Sequence, residues 1–412
     1  MICGLIGRKL GHSYSPQIHQ MLADYAYRLW ELEPEALADF LRRREFGGIN
    51  VTIPYKQQVI PYLDELSDTA RRIGAVNAIV NRGGRLCGYN TDFAGMAALI
   101  RHLGLELQGK KVMILGTGGT SRTAQAVAAH MGAAEICKVS RSGQDGALTY
   151  EEAVRCHSDA QILINTTPCG MYPAVTGCPV DLASFPQLSG VVDAVYNPLR
   201  TRLVLQARQR GIPAEGGLYM LAAQAAYASA LFRGCETAER DIELAFQTVR
   251  RQVENIVLIG MPSSGKTTVG QRLAQLTGKR FTDSDELVVQ QTGMPIARYF
   301  QLCGEAAFRD REQEAIAALS AVGGQVIATG GGAILRQENI DALRQNGTLV
   351  FLDRAPEHLI ATADRPLSAD RDSLRRRYEE RYDRYCAAAN LHIDGNGSVE
   401  DTARRIEKEW IE

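Results

Sequence analysis

No two of the nine cysteines in this 412-residue sequence stand in a CxxC arrangement. The nearest two, Cys169 and Cys178, lack the spacing of metal ligands. Free thiols in a reducing compartment are the expectation, so the chain reads as cytoplasmic. Long apolar runs are missing as well. None approaches the roughly 20 residues that a membrane-spanning helix needs. The opening MICGLIGRKLGHS has no extended apolar core of a secretory signal. Charge of one sign is also scarce: the net charge is -1, which offers no field for nucleic acid or a membrane surface. Small molecules are the expected partners, and the oligomeric state stays open. There is no Gly/Ser- or Pro-rich linker, no internal repeat and no low-complexity segment.

What is present is an α/β alternation. Short apolar runs at 1–6, 48–53, 111–115, 135–139, 161–165, 190–193, 256–259, 325–328 and 349–352 read as strands. The Ala-rich stretch 217–232 suits a well-buried helix, and 236–252 a charged one. A new strand begins at about residue 255, so any join there is tight and helical. The length allows two or three domains.

Residues 116–122 read GTGGTSR after the strand 111–115. Gly116 and Gly118, with Gly119 beside them, allow a tight turn and close approach of backbone to a pyrophosphate. The third glycine position of the dinucleotide pattern is Ser121, so a purely structural turn remains open. At the end of the next strand, an enzyme using NAD would offer a carboxylate to the ribose. Here Ser140 and Arg141 stand instead, which suits the 2′-phosphate of NADP. A solvated surface arginine is the alternative.

Upstream lie the polar clusters GHSYSPQIH (11–19), NVTIPYK (50–56), GAVNAI (74–79) and GYNTDF (88–93). Each alone is an ordinary turn or cap. Together, in this order and with DAVYNPLRT (193–201) and GLYMLAAQAA (217–226), they resemble shikimate dehydrogenase from residue 1 to about 250. The resemblance implies reduction of 3-dehydroshikimate to shikimate with NADPH. It implies that Ser13, Ser15, Thr52, Asn77, Asp92 and Gln224 hold the substrate. Tyr196 lies near it, and Lys56 with Asp92 forms the catalytic pair. Hydride delivery to a ketone builds negative charge on oxygen, and a positioned ammonium stabilises that charge and donates the proton. Relatives that use NADP often carry a second basic residue after the first, where this chain has Asp145. Quinate is the alternative substrate.

Residues 260–267 read GMPSSGKT between the strand 255–259 and a helical pattern at 269–275. That is a P-loop in its required context. Gly260, Ser263, Ser264 and Gly265 form the cradle, and Thr268 follows it. Lys266 reaches the β- and γ-phosphates, and Thr267 binds Mg²⁺. FTDSDEL (281–287), GEAAFRDRE (304–312), TGGGAI (329–334), ADRPL (363–367) and YEERYDRY (378–385) follow. As a set they resemble shikimate kinase across 255–412. The resemblance implies that Asp285 binds shikimate hydroxyls and orients or deprotonates the attacking one. Arg309 and Arg381, which taken alone read equally as helix-surface charges, grip its carboxylate, and Gly330, Gly331 and Gly332 line its site. Arg365 comes from a closing lid, short at 366–372, and contacts the phosphates. Asp283 supports Mg²⁺ through water.

The expected fold is thus α/β throughout. A two-lobed dehydrogenase occupies 1–252, with a substrate lobe at about 1–100 plus 213–252 and a Rossmann NADP-binding lobe at about 101–212. A P-loop, nucleoside-monophosphate-kinase-like parallel-sheet domain occupies 253–412. A rival reading is a regulatory protein with one degenerate half, against which stand Lys56, Asp92, Lys266, Asp285 and Arg309. Another pairs a quinate dehydrogenase with a gluconate- or nucleotide-type kinase. The shared substrate argues against that, because the product of the first half is the acceptor of the second.

Overall fold

The computed structural model describes residues 1–11, 13–144, 146–359 and 371–411. Asp145, Arg365 and most of the short lid lie outside the described residues. The chain divides into two compact units, Met1–Arg250 and Arg251–Glu412. The division falls within the helix Glu239–Val253.

The first unit holds two sheets. Strands β1 (Ile2–Gly7), β2 (Ala26–Glu31), β3 (Gly48–Val51), β4 (Glu65–Leu66), β5 (Ala78–Arg82) and β6 (Arg85–Tyr89) form a mixed sheet in the order β2-β1-β3-β5-β6-β4. Strands β1 and β3 are nearly or wholly buried, because apolar clusters lie on both faces of this sheet. One cluster joins Ile6, Leu41 and Ile49, and the other joins Cys3, Val80 and Phe232. The expected strand 48–53 stops at Val51, and residues 53–58 turn. Edge strand β2 is mostly exposed and so left no apolar run to read. The β5–β6 hairpin turns on Gly83 and Gly84, both at positive φ, a signal the sequence does carry.

Strands β7 (Lys111–Leu115), β8 (Glu135–Val139), β9 (Ile162–Asn165), β10 (Gly190–Asp193) and β11 (Ala214–Glu215) form an all-parallel sheet ordered β11-β10-β9-β7-β8. Its order reverses between β7 and β9, and open α/β sheets bind ligands at the carboxyl ends beside such a reversal. The helices Thr91–His102 and Leu218–Arg233 pack along each other; the first also meets Gly119–His130 and the second meets β5.

The second unit is a parallel sheet of β12 (Asn255–Ile259), β13 (Arg280–Asp283), β14 (Gln325–Ala328), β15 (Gly347–Asp353) and β16 (Leu391–Asp394), ordered β13-β14-β12-β15-β16. Side chains of a strand alternate between faces. Here Ile256 and Leu258 enter one core with Val350 and Leu352, while Val257 and Ile259 enter the other with Leu349 and Phe351. Both faces are covered, so the central strands read as unbroken apolar runs. The edges β13 and β16 are half exposed and lack that signature.

The pair of long helices in the first unit is close enough that a Cβ on Gly95 would lie 2.8 Å from the Met220 carbonyl oxygen. Gly95→Val therefore costs about 1–3 kcal/mol through overpacking. Trp30 lies in the first unit and Trp410 in the second. Urea unfolding followed by Trp30 fluorescence in a Trp410→Phe background reads the first unit alone. An unchanged midpoint would contradict the close helix contact.

Candidate functional site

Asp92 lies in the first turn of the helix Thr91–His102, whose start is capped by the Asn90 side chain accepting from the Phe93 amide at 3.1 Å. Asn77, just before β5, is buried and donates to Asp92 Oδ1 at 2.9 Å and to Thr91 Oγ1 at 3.0 Å. Its own Oδ1 accepts from the Thr91 amide at 2.6 Å. The carboxylate is thereby aimed by its neighbours. Its other oxygen accepts from Lys56 Nζ at 2.6 Å. The pair is partly exposed, with 32% of the Lys56 and 18% of the Asp92 side chain accessible.

This pair opens on a cavity of about 600 Å³. Ser13, Ser15, Thr52, Lys56, Asn77, Asp92, Tyr196 and Gln224 all line it. So does Thr120, from the glycine-rich turn of the other lobe. Asn50 is a lining residue that the sequence reading passed over, although it begins the NVTIPYK segment. It accepts from the Tyr27 hydroxyl at 2.8 Å. His19, behind this wall, hydrogen-bonds the Tyr25 hydroxyl at 2.5 Å and stacks on Tyr27. Burial lowers its pKa to about 3, so it stays neutral and structural.

The DAVYNPLRT segment owes its shape to Asp193. Its carboxyl accepts from Thr201 Oγ1 at 2.6 Å, Asn165 Nδ2 at 2.9 Å and the Val195 amide at 3.0 Å. Burial pushes its pKa up to about 6, against the pull of those three donors. They pin the loop that carries Tyr196 to the cavity. Burial also raises the Tyr196 hydroxyl above its ordinary pKa, leaving it a donor.

The glycine-rich turn fits a dinucleotide phosphate. Gly116 has φ 109°, and a Cβ there would lie 2.7 Å from Thr166 Oγ1. Nothing stands within 4 Å of a Cβ on Gly118 or Gly119, which leaves open space at the start of the helix Gly119–His130. Ser140 and Arg141 follow β8; Arg141 is exposed, and Ser140 Oγ accepts from the Gly143 amide at 3.1 Å.

In the second unit the turn after β12 leads into the helix Lys266–Thr277. Lys266 is buried and donates to the carbonyls of Gly260 at 3.0 Å and Met261 at 2.7 Å. The buried Ser264 hydroxyl has no partner among the described residues, which suits a loop shaped for an anion. Thr268 is exposed just beyond Thr267. Thr267 donates to Asp283 Oδ2 at 3.0 Å, and Asp283 Oδ1 caps the Asp285 amide at 2.9 Å. A hydroxyl beside a carboxylate offers oxygen ligands of the kind that a hydrated Mg²⁺ takes.

Three consecutive glycines draw the rest together. A Cβ on Gly330 would lie 2.5 Å from Asp285 Oδ1 and 2.7 Å from Glu312 Oε1. On Gly331 it would meet Pro262 of the P-loop at 2.6 Å, and on Gly332 it would overlap the Arg309 guanidinium. Arg381 and Tyr385 both donate to the Gly331 carbonyl, at 3.0 and 2.6 Å. Arg309 is no surface charge: its side chain is 11% exposed and donates to Glu312 at 2.8 Å and Glu305 at 3.1 Å. Burial raises the Glu312 carboxyl against the pull of Arg309. Burial lowers the Arg309 pKa, but the two glutamates outweigh it and hold the guanidinium above its usual value. Glu312 stands one helical turn after Arg309 in FRDRE, the spacing at which a partner could have been sought.

Both units are similar to known proteins. Residues 5–79 match the shikimate dehydrogenase substrate binding domain, and residues 262–410 match the shikimate kinase family. The NADP(+) shikimate dehydrogenase of Halothermothrix orenii is 38% identical over 281 residues, covering 61% of this chain and 96% of that one. A chorismate mutase/shikimate 5-dehydrogenase fusion protein from Clostridium acetobutylicum superposes with TM-score 0.57 at 33% identity, over 60% of this chain and 96% of that one. Thermus thermophilus shikimate 5-dehydrogenase, solved with NADP(H) and shikimate, gives TM-score 0.54 at 31% identity, over 60% and 99%.

Ser263 in the P-loop has φ 64°, a left-handed conformation that costs a residue with a Cβ about 1–2 kcal/mol. Ser263→Gly relieves this and recovers part of it after the added freedom of the unfolded chain. The expected gain is about 0.5–1 kcal/mol, read as a higher melting temperature of the second unit by Trp410 fluorescence in a Trp30→Phe background. A lower melting temperature would mean that the serine hydroxyl stabilises the loop by more than the strain.

Proposed function

Because the chain belongs to the shikimate dehydrogenase family and carries a shikimate kinase domain, we propose that its two units act in turn on one polyol acid. Lys56 and Asp92 form the reacting centre of the first, and Asp285, Lys266, Arg309 and Arg381 that of the second. The chain reduces 3-dehydroshikimate to shikimate with NADPH and phosphorylates shikimate to shikimate 3-phosphate with ATP. When bound, NADPH supplies the hydride and MgATP the phosphoryl group. The observation that carries the residue assignment is the single cavity lined by Lys56, Asp92 and Thr120 together. A substrate on the catalytic pair there lies beside the dinucleotide turn.

In the reduction, Lys56 Nζ stabilises the charge growing on the ketone oxygen and donates the proton that completes the alcohol. Each Asp92 oxygen has one protein donor and lone-pair capacity for another. Asp92 thus holds Lys56 in place and accepts from a substrate hydroxyl at once. Asn77 keeps it aimed. Ser13, Ser15, Thr52, Tyr196 and Gln224 supply the remaining polar contacts. Gly116, Gly118 and Gly119 would hold the pyrophosphate of NADP, and Ser140 and Arg141 its 2′-phosphate.

In the phosphorylation, Asp285 accepts the proton of the attacking hydroxyl. Arg309 and Arg381 hold the carboxylate, each with donors beyond those already engaged. Lys266, which donates to the carbonyls of Gly260 and Met261, would hold the phosphates of ATP, and Arg365 is assigned to them as well. Thr267 and Asp283 would hold Mg²⁺, which would offset the charge of the phosphates. Residues 1–252 and 253–412 are the working domains, with the cut in the last turn of the joining helix. Separately expressed, both should fold and turn over. A soluble kinase fragment that is inactive until the other fragment is added would contradict this.

Supplying 3-dehydroshikimate, NADPH, ATP and Mg²⁺ to the full chain should yield shikimate 3-phosphate. Lys56→Met should lower reduction by about 10²–10⁴-fold and leave shikimate phosphorylation near wild type. Lys266→Ala should do the converse. Reductase turnover within threefold of wild type in Lys56→Met would remove Lys56 from the mechanism.

NADPH should be preferred to NADH by about 10-fold or more in kcat/KM, the effect of one charge-assisted contact. Arg141→Ala should erase most of that preference while sparing NADH. Equal use of both cofactors by the wild type would mean that Arg141 serves no phosphate.

A further inference from the structure

Arg354 follows β15, the neighbour of β12 on the side away from β14, and stands at the carboxyl end of the sheet. Its Nη1 lies 3.5 Å from where a Cβ on Gly265 would sit, in the turn that opens the helix Lys266–Thr277. Its Nε is buried and has no hydrogen-bond partner among the described residues. Polar groups close to it in the chain are committed elsewhere. Asp353 accepts from Tyr378 at 2.9 Å and pairs with His392 at 2.9 Å. The Asn396 side-chain oxygen accepts from the Ala355 amide at 3.2 Å and engages His358 at 2.8 Å. A buried donor without an acceptor is costly, and a guanidinium is the side chain most suited to bridging phosphate oxygens.

We propose that Arg354 binds the phosphate chain of the nucleotide at the P-loop, as a second fixed cation alongside Lys266. This rests on residues 260–267 being the nucleotide cradle. Lys266 stands on the helix itself, whereas Arg354 comes from the strand next to the loop. The two cations therefore reach the phosphates from different elements. Gly265 has no side chain to separate the guanidinium from the backbone amides that cradle the anion.

The test is calorimetric titration of the full chain with MgADP and, by ligand-observed NMR, with adenosine. Wild type is compared with Arg354→Met and Arg354→Lys. Arg354→Met should weaken MgADP by about 10-fold or more, and Arg354→Lys should recover part of this. Adenosine affinity and the KM for shikimate should stay within twofold. The ligand-free melting temperature of Arg354→Met should not fall, because an unpaired buried donor has been removed. The upward shift that MgADP brings should shrink. A structural arginine would give the opposite pattern, a lower ligand-free melting temperature with MgADP affinity intact, and that result overturns the proposal. So does an equal loss for adenosine, which would put Arg354 on the base. Should Arg354→Met not fold, Arg354→Lys decides alone: MgADP affinity equal to wild type overturns the proposal. Failure of wild type itself to bind MgADP would instead refute the cradle at 260–267.

Discussion

A parallel sheet covered on both faces can gather polar groups only at its ends, and both units are organised by that constraint. In the second unit the side chains of β12 and β15 divide between two dry cores. A charge placed among them would go unpaired at a cost of several kcal/mol. Lys266, Asp283, Asp285 and Arg354 accordingly stand just past strand ends or at helix starts. The glycine turn after β7 obeys the same rule. Where a strand ends, its backbone amides need acceptors, so the site that receives a phosphate also satisfies the chain.

Within those limits each proposed site holds a cation against a carboxylate. Lys56 rests on Asp92 at 2.6 Å and Arg309 on Glu312 at 2.8 Å. The settings differ. The first pair is partly open, with 32% of the Lys56 side chain accessible. The second includes a glutamate 1% exposed, where a permanently charged guanidinium is the safer partner. A proton donor is needed for reduction and a fixed cation for gripping a carboxylate, so the burial of each pair matches its task. On the proposed assignment both sites take the same small acid, one with hydroxyls and amides around a reacting carbon, the other with arginines.

The sequence by itself determined the motifs whose spacing is enforced by local backbone chemistry. A P-loop must follow a strand and open a helix, and GMPSSGKT does both. Central strands buried on two faces announce themselves as apolar runs, and those at 111–115, 190–193 and 325–328 have those bounds in the structure, as does the edge strand at 135–139. The polar clusters of the first unit were legible as a set through their order. Only the tertiary structure decided how they act. Asn77 and Asp92 are fifteen residues apart, and nothing local says that an amide aims the carboxylate. Edge strands β2, β13 and β16 escaped notice because half-exposed strands carry no continuous apolar signal. Arg309 reads as one charge among many on a helix; its glutamate partners are local to that helix, but its burial comes from the glycine loop that presses against it. Arg354 sits in no motif at all. Its neighbour in space, Gly265, is 89 residues away in the chain, and only the pairing of β12 with β15 brings them together.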